Sequence, residues 1–463
     1  MMGRLETDQR RFFYDFNIED VVPQDHLVRK IDAVLDFGWL REELAPYYSH
    51  TGRPSVDPEL MLRMLIVGYV FAIRSERQLC AELQVNMAYR WFCGLSIEDP
   101  VPNHSAFSRA RHERFRDADL LRRVFEQVVG VCIEEGLVGG ATFSVDASLV
   151  AADVDRSKRL PGDAPIAWPE PENASRAVRE YLAALDRESP QASVRADGRK
   201  RHPRMAISLT DPQAAWTAFR RIRSIFAYHA NYLLDHKAGI IVDADGNRAN
   251  RIEENLAALK MLERVAERFG LTPKRLAADT AYGNAQTLKR LVERGIEPHI
   301  PVWDKSAHTA GLFSRDDFRY DEKRDVYVCP AGKELTTSGT VHDGTTLKYL
   351  AKRKDCSVCA LKPKCTTGKE RRISRDVDQP IRDYVRALAD TPAFKRSRDE
   401  RKKVEMAFAH MKRIFKLDRL RLRGLSGARD EVLLTATAQN LRKLARYAGR
   451  APPSRRSFIA ATA

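Results

Sequence analysis

Residues 141–150 have the sequence ATFSVDASLV. Its apolar and β-branched residues predict a buried β-strand that starts directly after Gly139 and Gly140. Alternation along the strand places Asp146 on the face opposite Val145. A carboxylate in such apolar sequence is costly unless something balances its charge. Asp146 is therefore the first candidate functional residue, and the alternative is a strand aspartate that points into solvent.

Strand and helix patterns alternate downstream of this stretch. Strands are predicted over 222–235, 239–242, 275–278 and 297–303, with a turn over 243–246. An amphipathic helix is predicted from apolar residues at helical spacing, namely Ile252, Leu256, Leu259, Leu262, Val265 and Phe269. Another helix is predicted to begin at the cap Asn284, and a late basic helix spans 391–415. Together they indicate an α/β core between 141 and 303, closed by the late helix.

The segment before this core, residues 1–135, is predicted to be an all-helical N-terminal domain. Asp57 followed by Pro58 is a helix start, and a second helix is expected over 75–90. A later helix, with Ser105 as its cap, carries three arginines, which are Arg109, Arg111 and Arg114. Short helices that end in a basic one suit a helix-turn-helix-like DNA-binding unit. The alternative is a helical subdomain with a solvated basic face.

Composition predicts the remaining boundaries. Residues 153–204 are polar and rich in proline, so they are expected to be an insertion with one short helix over 177–185. Residues 311–375 form a second, cysteine-containing insertion, which divides the core into 139–310 and 376–448. The tail at 449–463 is expected to be disordered.

The chain of 463 residues is strongly basic, with 79 Lys and Arg against 63 Asp and Glu and a net charge of +16. Such a balance favours a polyanionic partner, either nucleic acid or an anionic membrane. The most apolar run, 64–73, is half the length of about 20 residues that a spanning helix needs. The first residues also lack the apolar segment of a signal peptide. We therefore expect a nucleic-acid partner and no membrane. Seven cysteines in a chain of this size indicate a reducing cytoplasm.

Phosphodiester chemistry would explain isolated acids in a basic chain. Two hard cations about 3.5–4 Å apart can activate an attacking hydroxyl and stabilise the leaving oxygen, and Mg²⁺ prefers carboxylate oxygens. Asp279, directly after a predicted strand, is the second candidate ligand, although a turn or cap is the alternative. Asp243 and Asp245 are weaker candidates, because Asp-Gly after a strand is first of all turn chemistry.

Glu405 in the late helix is the third candidate acid. At about 100° per residue, one stripe of this helix holds Arg398, Arg401, Glu405 and Lys412. The adjacent stripe is apolar and holds Val404, Phe408, Met411 and Phe415. Surface salt bridging is the alternative explanation. However, residues 395–423 hold 12 Lys or Arg and 4 Asp or Glu, a net charge of +8. This is half of the net positive charge of the whole chain, so the segment is expected to contact phosphates.

These motifs resemble those of bacterial insertion-sequence transposases of the DDE class. In one branch the third acid lies in Tyr-x2-Arg-x3-Glu-x6-Lys, and Arg401, Glu405 and Lys412 match that spacing, with Arg398 at the tyrosine position. The surroundings of the first two acids are matched by residues 144–148, SVDAS, and 278–283, ADTAYG. The first 115 residues resemble the group's N-terminal domain, so the likeness spans nearly the whole chain.

The resemblance implies an RNase H-like mixed sheet flanked by helices. It implies that Asp146, Asp279 and Glu405 bind two Mg²⁺ ions, which Mn²⁺ can replace. The reaction would be hydrolysis at the ends of the element, followed by attack of the freed 3′-hydroxyl on target DNA. The protein would act as a homodimer on double-stranded DNA, in the cytoplasm at the nucleoid. The implied DNA contacts are Arg398, Arg401, Lys412 and Tyr282, and simple packing is the alternative for Tyr282.

Four of the seven cysteines lie in the 311–375 insertion with the spacing C-x26-C-x2-C-x5-C, and they are Cys329, Cys356, Cys359 and Cys365. Such a pattern is typical of a four-thiolate zinc site. This polar segment is expected to hold too few large apolar residues for a core of its own, so that a structural Zn²⁺ would order it. The alternative is four reduced structural cysteines.

Two other functions remain open. A metal-dependent nuclease or resolvase on the same core would cut DNA without joining strands, and an assay for joined product separates it from a transposase. A DNA-binding regulator without chemistry is the other alternative, and the pattern of three acids disfavours it.

Overall fold

The computed structural model describes residues 16–187, 206–302 and 311–448, apart from positions 50, 52–54 and 220–221. These residues form a mixed α/β protein with a helical N-terminal region. Two compact units are present, one made of 1–134, 414–416 and 433–463, and the other of 135–413 and 417–432. The expected disordered tail lies outside the described residues, as does the 188–204 part of the polar insertion. No helix in the described ranges is long and apolar enough to cross a membrane.

Unit 1 is helical, as predicted. Its described N-terminal helices are α1 Ile18–Val21, α2 Leu27–Asp32, α3 Leu40–Leu44, α4 Pro58–Val70, α5 Glu76–Val85, α6 Met87–Phe92, α7 His104–His112, α8 Arg114–Asp117 and α9 Leu120–Glu134. Their apolar faces form one core with residues from the far end of the chain, which are Phe415, Leu434, Ala438, Leu441 and Ala445. The unit is therefore built from both ends of the sequence.

Helix capping in unit 1 agrees with the sequence at one site and differs at two. The Asp57 carboxylate accepts the backbone N–H of Glu59 at 2.7 Å, which confirms the predicted start of α4. The helix predicted over 75–90 is instead two helices, because Asn86 ends α5 and its side chain caps α6. Helix α7 is capped by Asn103 rather than Ser105. Asn caps well through its short side-chain carbonyl, and Asn86 and Asn103 fill this role for α6 and α7.

The three arginines of the predicted basic helix do not share one surface role. Arg111 is 6% exposed and pairs with Glu76, so its charge is used inside the unit. Arg114 lies over the ring of Tyr48, with the guanidinium 4.4 Å from the ring centroid. Two of the three therefore contribute to packing within the helical unit.

Unit 2 contains the strands. They are β1 Thr142–Ala151, β2 Arg159–Pro161, β3 Ala206–Ser208, β4 Ala215–Phe219, β5 Ile222–Asp235, β6 Ile241–Arg248, β7 Arg275–Ala277, β8 Glu297–His299, β9 Arg319–Asp321, β10 Val326–Val328, β11 Glu334–His342, β12 Thr346–Ala351 and β13 Arg372–Asp376. The helices that follow β1 are α10 Arg176–Arg187, α11 Arg251–Phe269, α12 Ala285–Glu293, α13 Arg353–Ser357, α14 Lys362–Cys365, α15 Gln379–Leu388, α16 Pro392–Glu400, α17 Lys402–Arg413 and α18 Gly424–Ala448.

The central sheet has the strand order β4-β5-β1-β7-β8, and β6 also pairs with β5. Strand β1 lies antiparallel to β5 and parallel to β7, and β7 is parallel to β8. The long strand β5 begins and ends as predicted, and the short helix expected near 177–185 is α10. The predicted α/β core is thus present, with β1 at the centre of the sheet.

The predicted turn over 243–246 is wrong, because strand β6 runs through it and pairs with β5. Asp243 and Asp245 are buried and form ion pairs with Arg264 on α11. Gly246 allows a close approach of backbone, since a Cβ there would lie 3.0 Å from the Arg429 nitrogen. The Asp245-Gly246 pair therefore lies within a packed strand. The carboxylates of Asp243 and Asp245 form ion pairs in the interior of unit 2.

Two helix predictions also differ from the structure. In α11 the apolar stripe is rotated, so that Ile252 and Leu256 are exposed whereas Glu254 is buried. The late helix is not continuous over 391–415 but consists of α16 and α17, which meet at Arg401. The Val404 N–H bonds to the Arg401 carbonyl, an i to i+3 bond that tightens the backbone at this junction.

Strands β9 to β13 form a second, antiparallel sheet in the order β13-β12-β11-β10-β9. The expectation that this segment lacks a core of its own is wrong. Its buried residues are Phe318, Tyr327, Leu335, Tyr349, Ala351 and Ile373. A few aromatic rings fill a small sheet, and Tyr327 and Tyr349 meet edge to face with centroids 5.1 Å apart.

Candidate active site

Parallel pairing of β1 and β7 brings the first two acids to the same end of the sheet. Ser144 lies opposite Ala277, and Asp146 and Asp279 each follow two residues later. The Asp279 carboxylate accepts the N–H of Ala281 at 2.8 Å and caps a 3₁₀ turn over Thr280–Tyr282. The Asp146 carboxylate accepts the N–H of Ala147 at 2.8 Å. Both side chains are thus fixed by local backbone donors.

Helix α17 carries Glu405 and packs on the sheet through the predicted apolar stripe. Val404, Phe408 and Met411 are buried. The Phe408 ring stacks on Tyr232, with centroids 4.7 Å apart and planes 9° apart. Tyr232 lies opposite Asp146 in the β1–β5 pairing. The stack of Phe408 on Tyr232 therefore fixes the position of α17 on the sheet next to Asp146.

Arg401 connects the first and third acids. Its Nη1 donates to Asp146 Oδ2 at 3.3 Å, and its Nη2 donates to Glu405 Oε1 at 2.6 Å. The Arg401 side chain is 23% exposed, and Glu405 is about half exposed. A cation therefore lies between two of the predicted acids, at the edge of solvent.

The charges of these residues act on one another. The pKa of Asp146 is raised from its ordinary value of 3.8 to about 6, first by burial and then by the negative charges of Asp279 and Glu405. The Ala147 amide and Arg401 oppose this rise. The structure therefore brings together Asp146, Asp279 and Glu405 with Arg401.

A fourth acid that the sequence patterns did not indicate, Glu254 on α11, is also buried. Its pKa is raised from 4.5 to about 7, first by burial and then by the negative charges of Asp279 and Asp146, while a hydrogen bond with Tyr282 opposes the rise. Its Oε2 lies 3.8 Å from Nδ1 of His229, whose own pKa is lowered to about 4 by burial. The signal was available in the sequence, because Glu254 continues the small apolar stripe of α11 that contains Ala257, Ala258, Met261 and Val265.

Tyr282 packs inside the protein. Only 1% of the residue is exposed, which favours the packing alternative over stacking on DNA. Burial holds the pKa of its hydroxyl well above the ordinary range, and the charges of Glu254, Asp146 and Asp279 add to that rise. Its ring therefore forms one wall of the acidic site.

The other predicted DNA-contact residues lie on the outer side of α16 and α17. The Arg398 side chain is 64% exposed and lies 4.0 Å from Asp399, a weak surface ion pair. Lys412 is half-buried in the last turn of α17. Arg398 thus faces solvent on α16, and Lys412 lies two turns after Glu405 on α17.

Two buried histidines anchor α16 and fix the position of Arg401. Ser144 Oγ and His236 Nε2 are 2.6 Å apart, and His236 Nδ1 and Glu400 Oε2 are 2.8 Å apart. Ser144 is fully buried, so this serine, histidine and glutamate set serves packing rather than nucleophilic attack. His299 makes a similar contact, with its Nδ1 2.7 Å from Ser397 Oγ.

The four cysteines of the second insertion converge on one small cavity of about 30 Å³. The pKa of the Cys365 thiol is raised by burial and, more weakly, by the charges of Cys356, Cys329 and Cys359. The Cys329 sulfur accepts the backbone N–H of Lys333 at 3.3 Å. All four are free thiols that line this cavity.

Across the described residues, no group of three or more His, Cys, Asp or Glu side chains is already arranged to hold a metal ion. The donor chemistry nevertheless fits. Carboxylate oxygens are the ligands that a hard divalent cation prefers, and Arg401 already supplies positive charge between Asp146 and Glu405. The cysteine cavity offers soft thiolate donors, which suit zinc.

Two family models match the chain. A Transposase domain (DUF772) matches residues 16–113, and a Transposase DDE domain matches residues 328–445. The second match contains the four clustered cysteines, Arg401 and Glu405, whereas Asp146 and Asp279 lie before it. No curated protein matches the chain.

Proposed function

The chain belongs to the DDE transposases of insertion sequences, and from that membership we propose that Asp146, Asp279 and Glu405 are its three catalytic acids. It is a transposase, an enzyme that acts on DNA with a divalent metal. One observation carries the assignment. Arg401 bonds to both Asp146 and Glu405, which joins the start of the α/β core to the segment matched by the DDE family.

We further propose that the central sheet is an RNase H-like core. Three antiparallel strands, β6, β5 and β1, are followed across the sheet by the parallel strands β7 and β8. The acids lie on β1, after β7 and on a helix that packs against the sheet. This arrangement supports the proposal, because ligands commonly bind beyond the carboxyl ends of parallel strands.

In the proposed reaction the three acids hold two Mg²⁺ ions, for which Mn²⁺ can substitute. When bound, the ions would supply Lewis-acid activation of the attacking hydroxyl and would stabilise the leaving oxygen. Asp146 and Asp279 contribute carboxylate ligands whose positions the sheet fixes, and Glu405 contributes a third carboxylate from α17. Arg398, Arg401 and Lys412 bind phosphates next to the acids and thereby orient the scissile strand.

Three substitutions test the catalytic acids. Asp146→Asn, Asp279→Asn and Glu405→Gln should abolish both nicking and strand joining on end DNA with Mg²⁺, while DNA binding persists. Asp163→Asn and Glu267→Gln, at exposed positions, should retain activity and are the matched controls. Near wild-type cleavage by any of the three variants would remove that residue from the site. Cleavage without joined product in the wild type would favour the nuclease alternative.

We also propose that the helical N-terminal region binds DNA and that the transposase acts as a homodimer on it. The match of residues 16–113 to a transposase domain supports a role in this reaction. Light scattering of the chain with and without end DNA tests the assembly. A complex with one protein chain per DNA end and no pairing of ends would contradict the dimer.

For the second insertion we propose one structural Zn²⁺ held by Cys329, Cys356, Cys359 and Cys365. The shared cavity and the N–H bond to the Cys329 sulfur support it, since such bonds stabilise thiolates. Metal analysis should find about one zinc per chain. Cys356→Ser should lose it, and Cys80→Ser, outside the cluster, should keep it. A folded wild-type protein free of zinc would leave four reduced cysteines.

A further inference from the structure

An irregular segment, residues 417–423, precedes α18 and runs beside the end of β1. The Leu420 N–H donates to the Ala151 carbonyl at 2.7 Å, and the Ala151 N–H donates to the Asp418 carbonyl at 3.0 Å. Arg419 thereby forms a parallel bridge with Ala151. The segment is attached to the same strand that carries Asp146.

Buried carboxylates hold the backbone of this segment. Glu431 on α18 is 1% exposed, and its Oε1 accepts the N–H groups of Arg421 and Leu422, each at 2.6 Å. The next N–H, that of Gly424, donates to Oδ2 of the buried Asp211 at 3.1 Å. Loop backbone whose polar groups are bonded to the interior has few ways to move. The segment therefore presents its side chains from a fixed support.

The outward side chains of the segment are arginines. Leu420 is buried, whereas Arg419, Arg421 and Arg423 are exposed. Asp153, just after β1, accepts from Arg419 Nη2 at 3.0 Å and from Arg423 Nε at 3.1 Å. Exposed ion pairs of this kind contribute little to stability. Folding alone therefore does not explain why three arginines are presented together at this point.

The residues after Asp153 add further positive charge. Arg156 and Lys158 are exposed in a 3₁₀ turn. The pKa of Asp155 is lowered first by hydrogen bonds from Ser157 and then by the charges of Lys158 and Arg423, so these two cations face one carboxylate. We call this cluster of five cations and the two acids Asp153 and Asp155 the basic patch, and its cations are Arg156, Lys158, Arg419, Arg421 and Arg423.

The chemistry of the basic patch fits a phosphate backbone better than a membrane surface. Four of its five cations are arginines, which bind phosphate oxygens through two parallel N–H groups. Residues 153–158 and 417–423, all of which the structure describes, present no exposed large apolar side chain. Binding at a membrane surface normally needs such side chains.

Strand β1 also gives the distance from the basic patch to the candidate catalytic acids. Ala151 follows Asp146 by five residues in β1, which corresponds to about 17 Å at roughly 3.3 Å per residue. One strand of duplex DNA carries a phosphate for about every 3.4 Å of the helix axis. The spacing therefore matches about five base pairs of duplex.

We propose that the basic patch binds the phosphate backbone of duplex DNA about five base pairs from the scissile bond. The placement relative to that bond rests on the proposed function, because it takes Asp146 as a catalytic acid. The contacts are independent of sequence, since they reach phosphates rather than bases. Asp153 holds the guanidinium groups of Arg419 and Arg423 side by side before DNA arrives.

Salt dependence of DNA binding by the full chain tests the contacts. The triple variant Arg419→Ala, Arg421→Ala, Arg423→Ala should lower the slope of log affinity against log salt by about three, on end DNA and on unrelated duplex alike. Between about 50 and 200 mM salt, the wild type should lose roughly 40-fold more affinity than this variant. The matched control removes three exposed cations elsewhere in unit 2, Lys260→Ala, Arg268→Ala, Lys274→Ala, and should keep the wild-type slope.

Ethylation of single phosphates tests the position. On end DNA, ethyl groups about five base pairs from the cleavage site should weaken binding by the wild type and have no further effect on the triple variant. The same pattern of interference in both proteins would contradict the proposed placement.

The outcomes separate this inference from the proposed function. A wild-type slope in the triple variant, together with loss of nicking in Asp146→Asn, would refute the basic patch alone. A lowered slope, together with wild-type nicking by Asp146→Asn, would support the patch as a DNA contact and refute the catalytic site from which its distance is measured.

Two further variants exclude an effect of folding. Arg421→Ala removes one exposed side chain and keeps the backbone N–H that Glu431 accepts, so it should fold and lower the slope by about one. Asp153→Asn removes a negative charge from the same surface and should tighten binding to DNA of any sequence, which damage to the fold would not do. An unchanged slope in Arg421→Ala, or unchanged or weaker binding by Asp153→Asn, would contradict the contact with phosphates.

Discussion

Asp146→Asn should make the metal-free protein more stable while it destroys activity. The substitution keeps the shape of the side chain and an oxygen that can accept the Ala147 N–H. It removes a negative charge from a buried position beside Asp279 and Glu405. Arg401 keeps its bond to Glu405 at 2.6 Å, so the change leaves no guanidinium without a partner.

The raised pKa of Asp146 gives the size of the expected gain in unfolding free energy. A rise from 3.8 in the unfolded chain to about 6 in the folded protein corresponds to about 3 kcal/mol, at roughly 1.36 kcal/mol for each pH unit. An acid with a raised folded pKa costs nothing while protonated, and its cost grows as pH rises from the unfolded to the folded pKa. Asp146→Asn should therefore gain about 1.5 kcal/mol at pH 5 and about 3 kcal/mol at pH 8.

Urea unfolding in EDTA at pH 5 and pH 8 measures this gain. Asp163→Asn, at an exposed turn, is the control and should change stability by less than about 0.5 kcal/mol. Added Mg²⁺ should stabilise the wild type but not Asp146→Asn, because only the wild type has the ligand. Lower stability of Asp146→Asn at pH 8 in EDTA would contradict this prediction, since the carboxylate would then be stabilising in the absence of metal.

Three further predictions follow from the contacts of the late helices. Phe408→Ala should cost about 3–5 kcal/mol of unfolding free energy and should strongly reduce the cleavage rate. Met406 is 58% exposed on the same helix, so Met406→Ala should cost less than about 0.5 kcal/mol. Similar losses in both variants would contradict the stack of Phe408 on Tyr232. His236→Ala should cost about 1–3 kcal/mol of unfolding free energy, because it leaves the buried Ser144 hydroxyl without its partner. It should also slow nicking. Nicking at the wild-type rate would show that the contacts of His236 do not position Arg401. Arg398→Ala should weaken binding to DNA of any sequence and reduce the slope of log affinity against log salt by about one, and an unchanged slope would place Arg398 away from phosphates.

The placement of the three candidate acids follows from the sequence because its determinants are local. Asp146 interrupts an apolar strand, and Asp279 follows one, so strand pairing alone brings them together. Glu405 borders an apolar stripe that had to face the sheet, and Phe408 contacts Tyr232 as that pattern requires. Periodicity and strand order were sufficient for these three residues.

The remaining features depend on tertiary packing, which local patterns do not contain. Ile252 and Leu256 read as the buried face of α11, yet small Ala257 and Ala258 allow close approach to the sheet and rotate the helix towards Glu254. The Asp-Gly pair at 245–246 resembles a turn, but the ion pairs with Arg264 keep it in a strand. The cysteine segment seemed too polar to fold alone because its core consists of a few widely spaced aromatic residues.

The composition of unit 1 from both chain ends has a consequence for biosynthesis. Its core needs Leu434, Ala438 and Leu441, which are made about 300 residues after α9. At roughly 5–20 residues per second, a ribosome takes about 15–60 s to cover that distance. During this interval the nascent N-terminal helices expose an apolar surface that only the end of the chain covers. A fragment that stops after Glu134 should therefore aggregate or recruit chaperones, and the N-terminal region becomes fully folded only after Leu434, Ala438 and Leu441 have been made.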